Sequence, residues 1–244
     1  MKPHYFYLLI FVALWPVYAL SDLLGLPTLL MSVVIFFAFN WGVKVFNARA
    51  MLRLLPIPKR GYDRRREALE RDESQLFNLG FRKTDEFYLK SLSDVVVYVY
   101  EHGSEPVRLC VYHTGLKSYC DFITKFDGDV SLTTTVAASA GAVKRPPHRL
   151  AQIFTDMDYG AMFESHQSGV AFMMRHSLRP LGLSAVPFRE FFEKSIREYN
   201  DFSRRERFFL LKFVGGMATA SAQRYKKPLE QQYPSGLTPK MLAG

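Results

Sequence analysis

The stretch "DVVVYVYEHGSEPVRLCVYHTGLKSYCDFITKFDGDVSLTTTVA", residues 94–137, decides how the polar two-thirds of this chain folds. Its runs are short, rich in Val, Tyr, Phe and Thr, and follow a period of two. Such residues fit a pleated surface. With "DEFYLK" (85–90) upstream they make five strand-like segments. The separators "SLSD", "GSE", "GLK" and "DGD" are short, and a parallel pair needs a crossover of a dozen residues or more. The expectation is an antiparallel meander of about five strands, with the threonines at 133–135 on an exposed face.

The separator Asp127-Gly128-Asp129 carries two readings. Acid-x-acid pairs hold divalent metals in several sugar-nucleotide and phosphate-transferring enzymes, where the pair closes a strand of an α/β nucleotide-binding domain. No alternating β-α units are visible in this sequence. Asp-Gly between two strands is a strong hairpin signal, because both residues tolerate positive φ. The turn is therefore the reading adopted, with metal ligation by Asp127 and Asp129 as the alternative.

Towards the C-terminus, "SAGAVKRPPHR" (139–149) reads as a loop. The stretch 149–178 then shows helical spacing at Met162, Phe163, Val170, Phe172, Met173 and Met174. His166 and His176 read as surface or boundary residues of that helix. Pro187 opens a longer helix with Phe188, Phe191, Ile196, Tyr199 and Phe202 on one stripe, continuing to Phe209, Phe213 and Met217. The tail from Pro228 reads as irregular.

Towards the N-terminus the character changes. Residues 5–20 (YFYLLIFVALWPVYAL) and 28–46 (TLLMSVVIFFAFNWGVKVF) are apolar and close to bilayer-spanning length. About 20 residues rising 1.5 Å each cover a hydrocarbon core of roughly 30 Å. "SDLLGLP" between them supplies a turn, and Tyr5, Tyr7, Trp15, Tyr18 and Trp41 lie where interfacial aromatics belong. A cleavable leader would imitate the first run but leave the second as an anchor. The short connection has no Lys or Arg, whereas Lys44, Arg49, Arg53, Lys59 and Arg60 crowd the exit of the second run. The positive-inside rule then puts both termini and the soluble part in the cytoplasm.

The chain has 244 residues and a formal charge of +9. From Lys44 to Asp72 nine Lys/Arg face four Asp/Glu, while 81–137 has six against eight. The basic surplus beside the second run suits anionic headgroups rather than a specific nucleic acid. Asn40 and Trp41, with Arg49, Arg53, Lys59 and Arg60, are the candidate membrane-surface and partner residues.

Chemistry-bearing motifs are sparse. There is no G-x-x-x-x-G-K-[ST], G-x-G-x-x-G or G-x-S-x-G. Cys110 and His113, three apart on a strand, point to opposite faces and cannot share a zinc ion without a bulge. No cofactor is implied. The sequence thus predicts an α+β protein with an N-terminal two-helix transmembrane hairpin (1–48), a basic juxtamembrane linker and helix (49–80), a cytoplasmic α+β domain with C-terminal helices (81–227) and an irregular tail (228–244). The expected role is a non-catalytic accessory or scaffold subunit of a membrane complex, with integral membrane proteins or itself as partner. The alternative is a membrane-surface enzyme, a metal-dependent transferase or hydrolase using the Asp-Gly-Asp turn.

Overall fold

A computed structural model describes residues 54–55, 72–89, 95–113, 118–137, 145–185, 187–205 and 224–242. They belong to one compact unit, Leu52–Gly244. The two apolar runs, with Asn40, Trp41, Arg49, Arg53, Lys59 and Arg60, lie outside the described residues. Among the described residues no helix is long and apolar enough to cross a membrane.

The fold is α+β, built on a single seven-stranded sheet whose strands follow one another in chain order. β1 is a two-residue pairing (Leu54–Leu55) against the end of β2, so part of the basic linker joins the sheet edge. A helical segment, 72–78 (α1), precedes β2 (Phe81–Leu89), β3 (Val95–His102), β4 (Arg108–His113), β5 (Ser118–Lys125) and β6 (Ser131–Thr135). All these neighbours are antiparallel. The five sequence segments thus become five consecutive strands. β2 bulges between Lys83 and Asp85.

The sheet does not end there. Arg149–Ile153, which helical spacing had absorbed into the following helix, is β7, paired parallel to β6. RLAQI is a short apolar run, and periodicity alone does not separate such a run from a buried helical turn. Thirteen residues, 136–148, separate the two strands, enough for the crossover that a parallel pair demands.

Helices cover both faces. α2 (Tyr159–Arg175) begins where the Asp158 carboxylate accepts the Ala161 amide at 2.8 Å. Its Met162 and Phe163 pack with Tyr98, Tyr100, Leu109, Cys120 and Phe122. α3 (Phe188–Arg205) starts directly after Pro187, and its Phe188, Phe191 and Phe192 pack with Phe87, Val97, Val99, Cys110 and Tyr112. Strand alternation puts these two sets on opposite faces. β3 and β4 are therefore buried almost without interruption rather than at every second residue, as in any sheet covered on both sides. The exposed threonine face is overturned for the same reason: Thr134 and Thr135 are buried.

The tail is also more ordered than its composition suggests. α4 (Leu229–Gln232) and α5 (Pro239–Leu242) are single turns. Leu229 joins Phe126, Val130, Leu132, Leu150, Phe172 and Met173 in a third apolar cluster.

Gly169 lies where α2 packs closely on the sheet. A Cβ there would lie 2.8 Å from both Gln152 Nε2 and Leu132 Cδ2. Gly169→Ala is expected to destabilise the fold by about 1–3 kcal/mol, the usual cost of overpacking a filled interior. Denaturant unfolding of the full chain in detergent checks this.

Candidate functional site

The Asp-Gly-Asp segment is a turn. Residues Asp127–Asp129 form one turn of 3-10 helix between β5 and β6, with Gly128 at φ 63° and Asp129 at φ 61°. Asp and Gly are the residues that enter the left-handed region at least cost. The Phe126 amide donates to the Val130 carbonyl at 2.8 Å, closing the hairpin.

The two aspartates part company there. Asp127 turns towards the chain leaving α2: its Oδ1 accepts the Arg179 amide at 3.1 Å and its own amide donates to the Arg179 carbonyl. Asp129 faces a basic cluster instead. Its Oδ2 lies 2.6 Å from Lys194 Nζ on α3 and 3.3 Å from an Arg149 guanidinium nitrogen on β7, and its Oδ1 lies 3.1 Å from Lys125 Nζ on β5. Burial pushes the Asp129 carboxyl up, but the Lys194 hydrogen bond and the Arg149 charge outweigh it and bring it down to about 2.

Sequence reasoning missed the remainder of this cluster. Glu198, one turn beyond Lys194 on α3, accepts from Arg149 at 2.6 and 3.0 Å and lies 3.4 Å from His148 Nε2. Burial raises its carboxyl, and Arg149 more than reverses that. Arg149 is 8% exposed and also donates to the Asp129 carbonyl and the Ser131 hydroxyl. The only sequence signal was a Lys-x-x-x-Glu pair on α3.

Asp129, His148 and Glu198 place one ligand atom each within 4.8 Å of one another, the spacing of a metal set. Electrostatics opposes such an ion. The Lys194 ammonium already stands between the carboxylates, 2.6 Å from Asp129 and 3.7 Å from Glu198. A divalent cation would have to displace it against the positive charge of Arg149 and Lys125. The arrangement is suited to holding α3 against the β5–β7 edge.

A second polar cluster lies in the core under α2. His166, read from sequence as a surface or boundary residue, has no exposed area. Its Nε2 meets the Thr124 hydroxyl and its Nδ1 the Thr134 hydroxyl, each at 2.9 Å. Gln152 donates to Thr134 at 3.0 Å and accepts the Leu229 amide at 2.9 Å. Burial alone pushes the imidazole down to about 3, so it is neutral at physiological pH. His166 thus has two hydroxyl partners and no path to solvent.

Cys110 and Cys120 lie in the apolar clusters on opposite faces. Burial raises both thiols well above their ordinary range, which leaves the inert thiol form. Asp121 on β5 is a carboxyl raised by burial, partly offset by the Thr135 hydroxyl, Arg145 and the Tyr112 hydroxyl. A shallow depression beside the start of α3 is lined by Arg108, Ile123, Lys125, Leu181, Leu183 and Phe191, and Arg108 there already bonds Glu101 and the Leu183 carbonyl.

Compared with known proteins, the chain matches no family model, no curated protein and no solved structure.

Proposed function

We propose that this chain is a membrane-anchored, non-catalytic accessory or scaffold subunit of a larger membrane complex, its α+β domain on the cytoplasmic side. One observation carries the reading: the reactive side chains singled out in the described domain are either held by other protein groups or buried. His166 is held by two threonines, Asp129 and Glu198 by Arg149 and Lys194, and both thiols are buried. Polar networks satisfied in this way rigidify and specify a core. The membrane part rests on the two apolar runs and the basic residues that follow them.

The test is purification of the tagged full chain from its native membrane in mild detergent. Co-elution with an integral membrane partner, or with further copies of itself, is expected. A lone monomer with nothing co-eluting would overturn the proposal. Salt-sensitive retention of DNA but not of anionic vesicles would move the basic linker to nucleic acid instead.

The enzyme alternative needs Asp127 and Asp129 to act together on a metal, whereas one bonds the Arg179 amide and the other the Lys194–Arg149 cluster. Titration of the full chain with Mn²⁺ decides between them. Saturable binding lost in Asp127→Asn and Asp129→Asn would favour the enzyme.

A further inference from the structure

We infer that the C-terminal segment 228–242 is an edge cap, closing β7 against strand addition by a second copy of this chain. β7 is the last strand of the sheet. The His148 carbonyl accepts the Ser131 amide, and the Phe154 amide donates to the Thr135 carbonyl. Alternation along the strand then turns the backbone of Leu150 and Gln152 towards β6, and that of Arg149, Ala151 and Ile153 away from it. An open row of outward amides and carbonyls is a template for another strand.

The tail takes up the centre of that row. Gln232 Nε2 donates to the Ala151 carbonyl at 2.9 Å, in the position a neighbouring strand's amide would hold. The same nitrogen donates to the Lys227 carbonyl at 2.7 Å, and the Leu229 amide donates to Gln152 Oε1 at 2.9 Å. The Leu229 side chain, 1% exposed, fixes the turn in the third apolar cluster. Gln232 Oε1 is itself buried without a hydrogen-bond partner. A one-turn helix that buries a glutamine at this cost does so for what its nitrogen reaches.

A second copy of this chain fits the register of that row. The outward residues of β7 are symmetric about Ala151. Two β7 strands related by a two-fold axis there would let the Ala151 residues exchange both backbone bonds, with each Ile153 amide reaching the Arg149 carbonyl opposite. Arg149's own amide is already satisfied by Pro146. Two-fold pairing of one surface with itself closes the assembly at that edge.

The test is disulfide capture in the full-length chain in detergent, using Ala151→Cys. Across a hydrogen-bonded antiparallel pair the Cα atoms sit about 5.5 Å apart, within disulfide range. Cys110 and Cys120 are buried, so the parent chain supplies the background. Ala151→Cys alone is expected to stay uncrosslinked. Adding Gln232→Ala, or a stop after Lys227, is expected to raise homodimer crosslinking severalfold. Equal crosslinking with the intact tail would overturn the cap, as would no crosslinking in tail variants that keep their sheet circular dichroism. If the stop unfolds the domain, Gln232→Ala, which retains Leu229, decides on the same criterion. Capture of a different chain in place of a second copy would overturn the choice of competitor.

Discussion

Replacing His166 by alanine is expected to cost about 3–5 kcal/mol of stability, the range in which a core cavity and unpaired polar groups add together. The imidazole reaches from α2 onto two neighbouring strands and bonds a threonine on each, Thr124 on β5 and Thr134 on β6. Removing it leaves a void under α2 and deprives the Thr124 hydroxyl of its one hydrogen-bond partner among the described residues. Thr134 keeps the Gln152 amide, so the two hydroxyls do not suffer equally. Adding Thr124→Val to His166→Ala is expected to recover about 1 kcal/mol, because no orphan hydroxyl then remains at that position. Urea unfolding of the full chain, followed by near-ultraviolet circular dichroism, reads both changes. A cost for His166→Ala below about 0.5 kcal/mol, the range of surface substitutions, would contradict the buried placement.

Acid is expected to destabilise the domain through the same residue. An unfolded chain protonates histidine near pH 6.5, whereas burial holds His166 down to about 3. Between those values the unfolded state binds a proton that the folded state refuses. Stability therefore falls as pH drops, by up to about 1.4 kcal/mol per pH unit. The contribution is fully present above about pH 6.5 and is lost as pH falls towards 3. His166→Gln removes this slope. Asp129 acts in the same direction but lower down: its stabilisation is present above an ordinary aspartate value of 3.8 and lost as pH falls towards about 2. Measuring stability from pH 7 to 4.5 separates the two. Parallel slopes for the parent and His166→Gln would refute the assignment.

Much of the sheet was legible because its cues are local. Val-Tyr runs broken by Gly, Asp and Ser announce strands and tight links, and short links leave only antiparallel pairing. Asp127-Gly128-Asp129 was readable as a turn for the same reason, since positive φ is a property of the residues themselves. Pro187 marked the start of α3, and the phenylalanine stripe beyond it marked the buried side.

What failed depended on neighbours distant in sequence. Thr134, Thr135 and His166 look polar and therefore exposed, until helices on both faces bury them, His166 bonding Thr134 while the Thr135 hydroxyl accepts the Ala137 amide. RLAQI is neutral between helix and strand, and only the open edge of β6 makes it a strand. Gln152, Leu229 and Gln232 carry no motif, being brought together by the return of the tail over β7. The Asp129–Arg149–Glu198 cluster draws on β6's turn, β7 and α3, so no window of sequence contains it.

By itself, then, the sequence determined the α+β class, the run of antiparallel strands, the turn at Gly128 and the sharp division between apolar and polar regions. Each of these follows from the preferences and solvation of residues close together in the chain. Only the tertiary structure decided which polar side chains are buried, which carboxylate meets which cation, and what closes the last strand. Those outcomes are set by desolvation and pairing between segments far apart in the chain, and a residue's type does not specify its distant partner.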